Sequence, residues 1–236
     1  MQSIAIVIPF YYCFNNENYI IISKLFKHYS DMNLEVFGVG SEGSLSKDLF
    51  CKFFPEENYL EFSQDWTYVP SGGCEGLTRK YNASLQFVLE NSNADFISIV
   101  GSDDFISKEY FDNFDDQSVT GISGDYYMMQ GPRWGIFTSE EYCASYGIKF
   151  SSGAGLTFPR HVLDKLGHDV FGGMDEVTLE PKLHELSIEM KSNPNIFEYC
   201  VYKTDQNINT FTYLSDIYLL KLQDSDNEYI DYLRGI

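Results

Sequence analysis

The chain opens on Ile4-Ala5-Ile6-Val7-Ile8, an unbroken apolar run rich in β-branched residues and closed by Pro9. A strand buried on both faces reads this way, as in a parallel sheet. Ile20, Ile21, Leu25 and Phe26 then share one side of a helix running to about Tyr29, with Asn15 or Asn16 placed to cap it. Leu34 to Val39 predicts a second strand at the spacing of one βαβ unit. Ser44 is a candidate cap for a helix from Leu45 to Phe54, and Tyr59 to Phe62 predicts a short third strand. Pro70 to Gly76 is a turn-forming loop, followed by a helix from Leu77 to Glu90 and an apolar strand from Phe96 to Val100. Strands alternating with helices in this order predict an α/β domain around a mainly parallel sheet.

The second half is less regular. Val119 to Met129 predicts a pair of strands, Trp134 to Phe150 an insertion, Gly155 to Phe158 a strand, and Arg160 to Leu166 a helix. Glu176 to Met190 reads as a helix, Phe197 to Tyr202 as a late strand and Tyr213 to Leu222 as a closing helix. With no internal repeat, linker or low-complexity tract, residues 1–236 are expected to form one domain, regular over 1–106 and less regular over 107–236.

Composition narrows the class. A hydrophobic share of 44% with 17% aromatic residues is ample for a core and excludes a disordered chain. The formal charge of −19 repels phosphate backbones and anionic lipid, which disfavours nucleic acid as a partner. It also means that a nucleotide ligand would need a divalent cation, held by carboxylates, to neutralise its phosphates. Cys13, Cys51, Cys74, Cys143 and Cys200 form no CxxC pair and read as free thiols of a reducing compartment. Neither a secretory signal nor a long apolar span is legible, so the expected location is cytoplasmic, with any membrane contact made through the acceptor or a partner.

The candidate chemistry lies where the apolar strands end. The first ends at Pro9-Phe10, the second at Gly40-Ser41-Glu42-Gly43-Ser44 and the fourth at Gly101-Ser102-Asp103-Asp104. Ligands of open α/β sheets bind outside the carboxyl ends of the strands, so all three endings can line one crevice. Two adjacent carboxylates there can hold a hard cation that bridges a diphosphate. The alternative is that Asp103-Asp104 only makes a turn and caps a helix starting near Ser107. His28, His161, His168 and His184 lack metal-ligand spacing, and the Gly72-Gly73 loop lacks the lysine of a phosphate-binding P-loop. Lys203 follows a predicted strand and reads as a solvated lysine within reach of a diphosphate. Trp134, with Tyr126 and Tyr127, is a candidate platform for a sugar, core packing being the commoner use of such rings.

Five segments, in order, resemble glycosyltransferase family 2 and its GT-A relatives. They are "IAIVIPFYY", "VFGVGSEGSLSKDL", "LTRKYNASLQFVLENSNADFISIVGSDDFIS", "SSGAGLTFPRHVLDKLG" and "GGMDEVTLEPKL", together spanning about residues 3 to 190. The resemblance implies a GT-A, Rossmann-like fold: a mainly parallel central sheet flanked by helices. Residues 1–106 would form the nucleotide-sugar-binding half, and 107–236 a less regular acceptor-binding half with C-terminal helices.

It further implies that Asp103 and Asp104 hold Mn²⁺ or Mg²⁺ with the donor diphosphate, and that Glu42 meets the base or ribose. Pro9 and Phe10 would lie beside the base. Arg79 and Asn82 would face the nucleotide. Gly153, Ala154 and Gly155 would admit the acceptor, and Asp175 or Glu176 would be the general base. The Asp-Glu order of that pair reverses the family's usual one, and the C-terminal motif and membrane helices of processive polysaccharide synthases are absent from the sequence. The expected activity is transfer of a sugar from a nucleoside-diphosphate sugar, UDP-linked by resemblance, to a saccharide, with inversion. Competing readings are a nucleotidyltransferase, which would carry a basic Gly-rich loop after the first strand, a non-catalytic nucleotide-sugar-binding module, and a modified DNA base as acceptor.

Overall fold

The computed structural model describes residues 2–10, 16–42, 46–63, 75–139, 142, 144, 155–171, 175–193, 197–203, 220–224 and 226–236. Its strands are β1 (Ile4–Pro9), β2 (Glu35–Ser41), β3 (Tyr59–Phe62), β4 (Phe96–Ile99), β5 (Asp104–Ile106), β6 (Ser118–Gly121), β7 (Tyr126–Gln130), β8 (Arg133–Phe137), β9 (Leu156–Pro159), β10 (Glu189–Ser192), β11 (Tyr199–Tyr202) and β12 (Leu220–Gln223). Its helices are α1 (Asn16–Ser30), α2 (Ser46–Phe50), α3 (Glu75–Asn91), α4 (Arg160–Leu166), α5 (Asp175–Glu185) and α6 (Glu228–Gly235).

The central sheet has the order β10-β6-β9-β4-β1-β2-β3. β1, β2, β3 and β4 run parallel to one another, β9 runs against β4 and β6, and β10 is parallel to β6. The mainly parallel α/β sheet expected from the sequence is therefore present. β1 is buried on both faces: Ala5 and Val7 join one core, Ile6 and Ile8 the other. The first core takes Leu85 and Val88 of α3, Val162 and Leu163 of α4, and Leu179 and Leu183 of α5. The second takes Ile22, Leu25 and Phe26 of α1 and the inner face of a second sheet, β12-β8-β7-β11-β5.

Strand direction decides where the loops gather. β10 is parallel to β6, and both oppose β9, so β10 runs with β1 and β4. α5 packs on β10 and joins it through three residues, as α3 joins β4 through a short link, so each helix runs against its strand. The N-termini of α3 and α5 therefore lie on the edge where β1, β2 and β4 end.

Several second-half elements differ from expectation. β6 and β7 do not pair; β6 belongs to the central sheet and β7 to the second. The helix expected to reach Met190 stops at Glu185, because Ser187 adopts φ 56° and Ile188 N–H turns back to Leu183 O at 2.8 Å. The chain then continues as β10. Leu220 to Leu222 is strand, paired with β8, and the closing helix is α6. Residues 213–219 lie outside the described residues.

Asp104 N–H closes a turn on Gly101 O at 3.3 Å, β5 follows, and the helix expected near Ser107 is a short 3-10 helix, Lys108–Phe111. β5 forms the edge of the second sheet, and its backbone is held from outside by side chains. Tyr29 O–H donates to Asp104 O at 2.8 Å and accepts from Ile106 N–H at 3.2 Å. His28 Nε2 lies 2.9 Å from Ile106 O, and Tyr229 O–H donates to Phe105 O at 2.9 Å. A bare strand edge is thus covered by α1 and α6. Lys24 Nζ in turn caps the end of α6 through Leu233 O and Arg234 O.

Candidate functional site

The sheet register places three strand ends close together. Pro9 lies opposite Val39, and Val7 opposite Ile99, so Phe10 comes level with Gly40, with Gly101 one residue behind and Ser41 one residue beyond. Gly155 enters β9 at the same edge, its N–H donating to Ile99 O at 2.7 Å.

Asp103 and Asp104 follow directly. Asp104 is buried, and its Oδ1 accepts from Tyr199 O–H at 2.6 Å. Asp103 is part-exposed and faces Lys203, with Nζ to Oδ2 at 3.9 Å. The antiparallel pairing of β5 with β11 brings Lys203 here, since Asp104 lies opposite Val201 and Tyr202 N–H donates to Asp103 O. Burial, and then the neighbouring Asp103 charge, push the Asp104 carboxyl up to about 7; Tyr199 and Lys203 act in the opposite direction.

Both carboxylates lean over one glycine. A Cβ on Gly101 would lie 2.2 Å from Asp104 Oδ2 and 3.4 Å from Asp103 Oδ1. Gly101→Ala is expected to push the Asp104 carboxyl aside and cost about 1–3 kcal/mol, read as an earlier urea midpoint.

Two converging carboxylates fit a hard cation of the Mg²⁺ or Mn²⁺ type, which takes one or two protein carboxylates and completes its shell with water and phosphate oxygens. Among the described residues no cluster of three or more His, Cys, Asp or Glu side chains could hold a metal. A cation here would therefore have to share its shell with a bound phosphate.

Sequence reasoning missed Lys80. It is 1% exposed, and its Nζ donates to Phe10 O and, at 3.0 Å, to Ser41 Oγ. It thereby ties the end of β1 to the end of β2, beside Glu42. The signal in the sequence was a lysine at the fourth residue of the predicted helix, on the side facing the sheet. Arg79, its neighbour, is exposed. Glu42 is exposed, just beyond β2, with its N–H on Phe62 O.

Four expected contacts are corrected. Pro9 and Phe10 are buried, and the Phe10 ring packs edge-on against Phe26 at 5.4 Å, so it is core and not a face for a base. Asn82 is committed to a loop: its Nδ2 donates to Phe171 O at 2.9 Å and Asp169 Oδ1 at 3.2 Å, and its Oδ1 accepts from Phe171 N–H at 2.9 Å. It holds the segment that leads to α5 and does not face the crevice as a nucleotide ligand. Asn82→Ala is expected to cost about 1–3 kcal/mol in urea unfolding. Asn82→Asp should not rescue it, because a carboxylate would face Phe171 O and Asp169.

Trp134 is 5% exposed and packs on Tyr127, so it is core rather than a sugar platform. Gly155 is required by its backbone, at φ 70°, and by Ile122 Cδ1, which a Cβ would meet at 2.7 Å. Its small size thus serves the packing of β9 against Ile122. Gly153 and Ala154 lie outside the described residues. Asp175 and Glu176 begin α5, on the same edge as Asp103 and Asp104; the described structure reaches their backbone only.

No family model matches the chain, and no curated protein matches it. Solved structures do. A mannosyltransferase from Pyrobaculum calidifontis, in complex with GDP-Man and Mn²⁺, is 14% identical, with a TM-score of 0.53 over 88% of this chain and 59% of that one. The glucosyl-3-phosphoglycerate synthase of M. tuberculosis is 10% identical, with a TM-score of 0.50 over 87% of this chain and 73% of that one. Such a likeness speaks for architecture: the chain has the GT-A fold, the fold of these nucleotide-sugar glycosyltransferases.

Proposed function

We propose that the protein is a metal-dependent glycosyltransferase that moves a sugar from a nucleoside-diphosphate sugar to a saccharide acceptor, with inversion. The observation that carries this reading is the convergence of Asp103 and Asp104 over Gly101 at the carboxyl edge of a GT-A sheet, with the acidic start of α5 on the same edge.

Asp103 and Asp104 would hold Mn²⁺ or Mg²⁺. The ion, when bound, supplies positive charge to the departing diphosphate. Glu42, past the end of β2, would meet the ribose or base, beside the strand ends that Lys80 ties together. Asp175 or Glu176 takes the proton from the acceptor hydroxyl as its oxygen bonds to the anomeric carbon. The bond from that carbon to the diphosphate breaks, and its electron pair leaves on the phosphate oxygen.

UDP-sugars are the first donors to try. GDP-mannose is the second, because the Pyrobaculum structure holds it. The saccharide acceptor is supported by the −19 charge, which repels nucleic acid. The reading is tested by following release of the nucleoside diphosphate from UDP- and GDP-sugars with Mn²⁺, alone and with a panel of mono- and disaccharides. Release that rises with one acceptor supports it. Cleavage between the phosphates, or nucleotide transfer to a sugar phosphate, would replace it with nucleotidyl transfer.

A further inference from the structure

Among the described residues, Lys203 is the cation paired with this carboxylate site, and that mechanism does not use it. Lys203 stands at the end of β11, its side chain only 14% exposed and its N–H fixed to Met129 O at 2.7 Å. Its ammonium faces Asp103 Oδ2 at 3.9 Å, a charge contact beyond hydrogen-bond reach. The lysine read from sequence as solvated is therefore held within the site, and the carboxylate it faces is one that would hold a metal.

Two carboxylates cancel a divalent cation. That set alone presents no net positive charge to a diphosphate, whose negative charge grows as the sugar leaves. The chain as a whole repels an anion, with a formal charge of −19. A cation bound to Asp103 would also compete with the ammonium for that carboxylate. Lys203 must then turn from the carboxylate, and the counter-charge brought by the ligand is its nearest new partner. We infer that Lys203 is a donor-binding residue: it occupies Asp103 in the free protein and contacts the diphosphate of the bound nucleotide. This rests on the nucleotide-sugar reading above.

The two halves of the exchange give effects of opposite sign. Lys203→Met should bind Mn²⁺ alone more tightly than wild type, because a competing cation is gone from Asp103. The same variant should bind UDP or GDP with Mn²⁺ about tenfold or more weakly, the loss of a charge-assisted hydrogen bond, with UMP and GMP much less affected. Lys203→Arg should restore most of the diphosphate affinity.

Calorimetric titration of Mn²⁺, then of each nucleotide, into the whole chain reads all of these without turnover. A lysine that merely supports the fold would shift both titrations in the same direction. Unchanged diphosphate affinity in Lys203→Met, with wild type binding normally, would overturn the assignment and leave the glycosyltransferase reading standing. Wild-type protein that binds no nucleotide with either metal would overturn both.

Discussion

Asp104→Asn is expected to do two opposite things. It should remove metal-dependent nucleotide binding, by about 100-fold or more, since the cation loses a charged ligand. It should also raise the melting temperature of the metal-free protein at pH 8. Asp104 is buried, with its carboxyl held up to about 7, whereas an unfolded chain releases that proton near 3.9. Between those values the folded state binds more protons than the unfolded state, so stability falls as pH rises, by at most about 1.4 kcal/mol per pH unit for one group. Above pH 7 the folded protein carries the whole cost of the buried charge. Asn carries no charge and still accepts from Tyr199. The gain in melting temperature should therefore be larger at pH 8 than at pH 5, measured in EDTA. A residue kept for stability would show the reverse, with Asn the less stable at every pH.

The second large effect concerns the start of α5. Replacing Asp175 by Asn and Glu176 by Gln, one at a time, should lower kcat by about 10²- to 10⁴-fold at one of the two positions, the usual contribution of a general base. Nucleotide affinity should stay close to wild type in both. The structural alternative is modest: an acidic residue in the first turn of a helix stabilises it by about 0.3–1 kcal/mol through the helix dipole. Such a role would lower the melting temperature slightly and leave kcat in place. Two variants with wild-type kcat would move the base elsewhere or make the enzyme a retaining one.

What the sequence disclosed, and what it hid, follows from the range of the interactions. β1, β2 and β4 were legible because burial on both faces writes itself as continuous apolar runs, and the Asp103-Asp104 pair because it interrupts such a run. β10 and β12 were hidden. Each is four residues long, with two or more exposed positions and no alternation to separate it from the adjoining segment. The partners that shape the site come from far along the chain: Tyr199 lies 95 residues from Asp104, and Lys80 lies 70 from Phe10. No local pattern announces these contacts. Asn82 shows the limit of motif reasoning. The helix was found, but its inward-facing cation is Lys80, and its asparagine serves the Asp169–Phe171 loop. Aromatic rings misled in the same way, since Phe10 and Trp134 could be platforms or core by composition, and both are core.

The most direct test of the central claim is a thermal-shift panel on wild type and Asp104→Asn. UDP, GDP, CDP, ADP and dTDP are each added with Mn²⁺, Mg²⁺ or EDTA. A ligand that binds only the folded state raises the melting temperature by mass action. The account predicts a rise with one nucleoside diphosphate and a divalent cation, lost in EDTA and lost in Asp104→Asn. A rise that persists in EDTA and in the variant, or no rise with any nucleotide, would contradict it.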